Sequence, residues 1–172
     1  MFRTRFSSQI RAARRVLNYV NLPRGSRIME NKDYKTSIYF AENDFFIGVS
    51  PSGHAVSMDA NSERNAAPTP LELLLIAVGS CTAYDVIDIL RKKRQDVTDY
   101  RIEVRGARRD DYPRSFKRLE VHHIVRGRAV SSEAVRQAVE LSDQKYCSVI
   151  ATVRPAAEVV STFEILEQGD EK

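Results

Sequence analysis

The chain has 172 residues, 42% of them apolar and 29% charged, with seven glycines, six prolines and no tryptophan. This composition excludes a largely disordered chain, a collagen-like chain and low-complexity tracts, and at this length folding buries roughly 70% of the unfolded surface, so no disulfide scaffold is needed. The net charge of +4 is local: residues 1–28 hold seven arginines with no lysine and no acid, and the other 144 residues hold 20 bases against 23 acids, so the body is mildly acidic and has no general attraction for nucleic acid.

The Arg-rich segment has three readings. It resembles an organelle transit peptide, or it is a basic arm that touches phosphate or membrane, or it is an upstream extension with Met29 opening the working protein. All three place residues 1–28 outside the fold and leave residues 29–172 as a single domain. No continuous apolar core precedes a small-residue cleavage site, so a cytoplasmic location is expected. The longest uninterrupted apolar run, Leu73–Val78, is far short of the ~20 residues a spanning helix needs, so no membrane protein is expected.

In chain order, residues 36–41 and 44–50 form a strand pair around Glu42-Asn43-Asp44, rich in aromatic and β-branched residues. Pro51-Ser52-Gly53 turns the chain into a third strand over residues 54–59, and residues 61–68 are a polar loop. A helix then opens on Thr69 as N-cap, Pro70 at the first helical position and Glu72 three residues after the cap, which is a capping box. From Leu71 to Tyr84 the single charge is Glu72. A helix apolar on all sides is a buried helix, and the basic run Arg91–Arg94 complements the dipole at its end. Two long strands follow, over residues 97–108 and 116–126, joined by a turn at Asp110-Asp111-Tyr112-Pro113. A second helix runs from Ser131 or Ser132 to about Cys147 or beyond, and residues 157–166 close the fold as a strand. The order is βββ-α-ββ-α-β, an α+β fold whose hairpins imply antiparallel pairing.

The two cysteines, Cys81 and Cys147, stand 66 positions apart. In a reducing compartment a structural disulfide is not expected between them, and two inert buried thiols are the plain alternative to a reactive pair. Both reach one place if their helices pack together. Asp85, one turn after Cys81, disfavours a thiolate there, and Lys145 points away from Cys147 on a helix. A metal site is not expected: His122 and His123 project to opposite strand faces, His54 stands beside a turn, and the cysteines are distant in sequence. The bases around the 108–118 hairpin are interleaved with acids, as on a solvated face.

The segment Pro70-Leu71-Glu72-Leu73 through Gly79-Ser80-Cys81, with Tyr146-Cys147-Ser148, resembles the OsmC/Ohr family of thiol peroxidases, in the Pro-to-Cys spacing, the cysteine separation and the element order. Ser52-Gly53-His54, Arg94-Gln95-Asp96-Val97 and Leu141-Ser142 with Lys145-Tyr146-Cys147-Ser148-Val149 are similar to its YhfA-like branch. The resemblance covers about residues 34–166. It implies an intertwined homodimer with a buried central helix, and a reaction in which Cys81 attacks an organic hydroperoxide and Cys147 resolves the sulfenic acid to a disulfide. A dithiol reductant then restores the pair, and no cofactor is implied. Two positions differ from the family pattern. No arginine lies between Asp33 and Glu63, where the peroxidases place one in the early strands. Leu71 occupies the position of their glutamate, and Glu72, one residue later, is a candidate for that catalytic role as well as for the cap. The alternative is a non-enzymatic homodimer of the same fold that binds a small apolar ligand or a protein partner.

Overall fold

The computed structural model describes residues 34–61 and 63–167. The Arg-rich segment lies outside them. The chain divides into two compact units, one ending at Glu72 and the other beginning at Leu73.

The first unit contains an antiparallel sheet of β1 (Ser37–Glu42), β2 (Phe45–Val49) and β3 (Ala55–Asp59), in that spatial order. Asn43 and Asp44 both have positive φ, at 47° and 61°. Two such residues match the twist of the flanking strands, and Asn and Asp tolerate that conformation. The polar stretch after β3 is organised around one acid. Asp59 is 1% exposed. Its carboxylate accepts two bonds from Arg64, at 2.8 and 2.7 Å, and the backbone N–H groups of Asn61 and Ala66. These donors, Arg64 first, hold the Asp59 carboxyl far below the usual carboxylate range. Arg64 also donates to the Asn43 carbonyl at 2.6 Å, so it ties the loop to the first hairpin.

The second unit holds most of helix α1 (Pro70–Lys92) and a sheet of β4 (Asp96–Arg108), β5 (Phe116–Arg128) and β6 (Glu158–Glu167), with β5 in the centre. Strands β4 and β5 form the expected antiparallel hairpin, but β6 pairs parallel with β5. The antiparallel expectation fails here for a topological reason. A helical connection brings the chain back to the starting end of β5, as a parallel pair requires. That connection consists of α2 (Ser132–Leu141), a π-helical turn (Ser142–Tyr146) and α3 (Ser148–Val153). Val86 and Leu90 of α1, Val125 of β5 and Val135, Ala138 and Val139 of α2 form one buried cluster.

Helix α1 starts as its sequence dictates. Glu72 Oε2 accepts from the Thr69 N–H at 2.6 Å and from its hydroxyl at 2.8 Å. Its burial is narrower than expected. Val78, Gly79, Thr82, Val86 and Leu90 are buried in a stripe of helical period, while Ile76 is 60% and Tyr84 77% exposed. Within the second unit, one face of the helix is covered. At Gly79 the approach is close: a Cβ there would stand 3.0 Å from Val104 Cγ2 of β4. The helix is also long and apolar enough to cross a membrane, with a mean hydropathy of 1.8 over its best window. Counting uninterrupted apolar residues understates this, because Gly79, Ser80 and Thr82 barely lower the hydropathy. Its buried stripe includes Val86 and Leu90, which cluster with Val125 of β5.

The two adjacent histidines do project to opposite faces. His122 is half-buried and bonds Thr162 at 2.8 Å. His123 is fully buried, its Nδ1 2.7 Å from the Tyr100 hydroxyl and its Nε2 without a partner. Burial, and secondarily the His122 charge, push the His123 pKa down to about 4. The unfolded chain therefore binds more protons than the folded one between about pH 6.5 and pH 4. Stability is expected to be complete above that window and to fall on the order of 3 kcal/mol as pH drops through it. Thermal melts of wild type and His123→Leu across pH 4–7 check this: the variant should lose most of the slope, and an equally steep wild-type and variant profile would assign it elsewhere.

Candidate active site

Cys81 lies on α1, three residues after the buried Val78 and one before the buried Thr82, and is itself half-buried. Cys147 is reached differently from expectation. The second helix does not run through it. The α-helical pattern stops at Leu141, where the next turn widens into a π turn closed by the Cys147 N–H donating to the Ser142 carbonyl at 2.9 Å. Cys147 itself is extended, at φ −70° and ψ 99°, and serves as N-cap of α3. Its Sγ accepts from the Ile150 N–H at 3.4 Å, the position an N-cap oxygen normally fills. A helical spacing argument therefore places its side chain wrongly, and Lys145 is accounted for by its own contact, 5.5 Å above the Tyr146 ring.

The two sulfurs and a carboxylate oxygen of Asp85 all lie within 4.8 Å of one another. Cys81 and Asp85 share a face of α1 because they are one turn apart. Asp85 accepts from the Ser142 hydroxyl at 3.0 Å, and the Ser142 and Thr82 hydroxyls bond at 2.8 Å. Thr82 and Ser142 are 1% and 0% exposed. This buried pair joins α1 to the π turn and so fixes the approach of Cys147 to Cys81. Sequence reasoning missed both hydroxyls. The available signal was a threonine directly after Cys81 on an otherwise apolar helix, which needs a buried partner.

The thiols differ in environment. Cys147 is 3% exposed. Burial, and then its hydrogen bond with Cys81, push the Cys147 thiol up to about 12, against the smaller opposite effect of the Ile150 N–H. Cys81 is the more accessible of the two. Glu72, the third residue expected at the site, is exposed and committed to Thr69, whose backbone N–H first and hydroxyl second lower its carboxyl below the usual range. Arg64 is likewise committed to Asp59 within the first unit.

The chain is similar to known proteins in sequence and fold. The family model for OsmC-like proteins matches residues 62–162. Protein YhfA of Escherichia coli K12 is 41% identical over 129 residues, 75% of this chain and 96% of that protein. The crystal structure of a hypothetical protein from Aquifex aeolicus is 30% identical, with a TM-score of 0.72 over 80% of this chain and 99% of that one. The organic hydroperoxide resistance protein OhrB of Bacillus subtilis shares the fold, at 14% identity and a TM-score of 0.55 over 77% of this chain and 98% of that one.

Proposed function

Because this chain belongs to the OsmC-like family, we propose that it is a thiol-dependent peroxidase that reduces organic hydroperoxides through Cys81 and Cys147. The observation that carries the reading is the meeting of the two sulfurs within 4.8 Å, one half-buried and one 3% exposed. In the proposed cycle the Cys81 thiolate attacks the terminal hydroperoxide oxygen. The O–O bond breaks, an alcohol leaves and Cys81 becomes a sulfenic acid. Cys147 attacks that sulfur, water leaves and a disulfide closes. A dithiol, available in the cytoplasm where we place the protein, reduces it by exchange. Glu72 belongs to this proposal as a cap that sets the start of α1.

The test is hydroperoxide consumption by the reduced full chain with cumene hydroperoxide and dithiothreitol. Turnover, an intramolecular disulfide by mass spectrometry and a preference for cumene hydroperoxide over hydrogen peroxide are expected. A second reading, a ligand-binding dimer without turnover, is favoured by one observation: residues 34–63 contain no arginine, and Arg64 is paired with Asp59. A charge partner shifts a thiol pKa by about 1–3 units, so turnover slower than in arginine-bearing relatives is expected. If both thiols remain alkylatable after stoichiometric cumene hydroperoxide, the second reading replaces the first.

We further propose a homodimer in which a partner covers the exposed face of α1 at Ile76 and Tyr84. Light scattering should give a dimer at micromolar concentration and a monomer, or insoluble protein, for the Ile76→Asp/Tyr84→Asp double variant. A stable wild-type monomer would sink the assembly proposal.

A further inference from the structure

The cysteine site carries a second chemistry. We propose that the reduced pair, with Asp85, binds one soft divalent cation of the zinc class, and that disulfide formation expels it. Three ligand atoms are already grouped: Cys81 Sγ, Cys147 Sγ and an Asp85 carboxylate oxygen, mutually within 4.8 Å. Around tetrahedral zinc, with Zn–S of about 2.3 Å, two sulfurs stand roughly 3.8 Å apart, so closing the sulfur pair asks for a shift of no more than about 1 Å. Two of the ligands come from one helix face at a four-residue spacing, and the third comes from a separate connection, which gives a three-sided grip with one position open to water. Two thiolates select a soft or borderline cation over magnesium or calcium. Asp85 is oriented by the Ser142 hydroxyl at 3.0 Å, and Ser142 is held by Thr82 at 2.8 Å. Such outer partners fix a ligand carboxylate in place. Sequence spacing hides this set, because Cys147 joins from 62 positions beyond Asp85 and the histidines lie elsewhere.

Binding releases one proton from each thiol that was protonated. Hydroperoxide then reverses it: the cation bound by two thiolates, plus ROOH and two protons, gives the disulfide, ROH, water and the free cation. The two thiolates supply the two electrons and the hydroperoxide receives them. Cation binding stands independently of the peroxidase reading. Release by hydroperoxide rests on that reading, whereas release by a chemical disulfide-forming oxidant does not.

The reduced full chain is titrated with zinc against a chromophoric chelator, and with cadmium while the ultraviolet thiolate charge-transfer band is recorded. One zinc per chain and a cadmium band are expected. Asp85→Asn should weaken zinc by more than 10-fold and Ser142→Ala by about 10-fold, with unchanged circular dichroism. Cys81→Ser should abolish the tight site. Diamide should expel the metal at one equivalent per disulfide. No stoichiometric zinc, no cadmium band, or Asp85→Asn and Ser142→Ala both binding as tightly as wild type would overturn the proposal. Release by diamide but not by cumene hydroperoxide would uphold the cation site and reject its release by hydroperoxide, and thiols still alkylatable in the metal-free chain after cumene hydroperoxide would reject the peroxidase reading itself.

Discussion

Cys81→Ser should abolish hydroperoxide turnover, while Cys147→Ser should retain one oxidation event per chain. The difference follows from where the two sulfurs sit. Cys81 is half-buried on α1 and is the nucleophile of the proposed cycle, whereas Cys147 is 3% exposed. Without Cys147 the sulfenic acid at Cys81 has no neighbour to condense with and persists or is over-oxidised. The second step should carry a pH signature. The Cys147 thiol is pushed up to about 12, by burial first and by its hydrogen bond with Cys81 second. It must lose its proton to attack, so disulfide closure should accelerate as pH rises from 6 to 9, and the Cys81 sulfenic acid should live longest at the acidic end. Oxidation of Cys81 adds an oxygen to the sulfur that Cys147 bonds to, which alters the second cause and leaves burial as the standing one. Stopped-flow oxidation followed by sulfenic-acid trapping and mass spectrometry measures both steps. Equal sulfenic lifetimes across that pH range would show that Cys147 deprotonation does not limit closure. Turnover in Cys81→Ser would reverse the assignment of the two thiols.

What the sequence disclosed and what it hid divide along the range of the interactions. The Thr69, Pro70 and Glu72 box is local, and the helix begins there. The β4–β5 hairpin follows from period-two alternation over long strands, and Leu119, Val121 and Val125 are buried as that alternation requires. The end of the second helix is different. Residues 142–146 read as a continuation of a helix, yet the chain widens there into a π turn, because Ser142 bonds across to Thr82 and Asp85 on α1. No residue within the segment announces that contact. The same holds for Arg64, whose partner Asp59 and second acceptor Asn43 are set by the return of β3 beside β2. The cysteine pair was legible through family resemblance. Spacing alone left it undecided, because neither cysteine has a thiolate-favouring neighbour in the sequence: Asp85 disfavours a thiolate at Cys81, and a helical reading points Lys145 away from Cys147. Composition reports that α1 is apolar all round, and the described residues bury one stripe of it, which leaves the rest to the proposed partner.

Gly127→Ala should be among the most destabilising small substitutions in this protein. Gly127 lies near the end of β5, opposite Val97 of β4. A Cβ there would stand 2.2 Å from the Asp96 carbonyl oxygen and 2.5 Å from Val130 Cγ2. The first of these is backbone, held in place by the sheet and by the Arg128–Asp96 ion pair at 2.6 Å, so the clash is relieved only by parting the strands. Overpacking of this kind costs typically 1–3 kcal/mol, and a backbone obstacle places this site at or above the upper figure. Gly48→Ala is the control: its nearest neighbour is the flexible end of Met58, at 3.3 Å, which can give way, so it should cost clearly less than Gly127→Ala. Thermal melts of both variants decide, and a wild-type melting point for Gly127→Ala would refute the close strand approach. The position also bears on the site. Val130 precedes Ser131, whose hydroxyl caps α2 by accepting from the Ala134 N–H and whose own N–H donates to Gln95. Alpha-helix α2 leads directly into the π turn and Cys147. Displacing Val130 therefore loosens the start of the element that carries the second thiol, and the Gly127→Ala protein should form the Cys81–Cys147 disulfide more slowly than its residual folded fraction predicts.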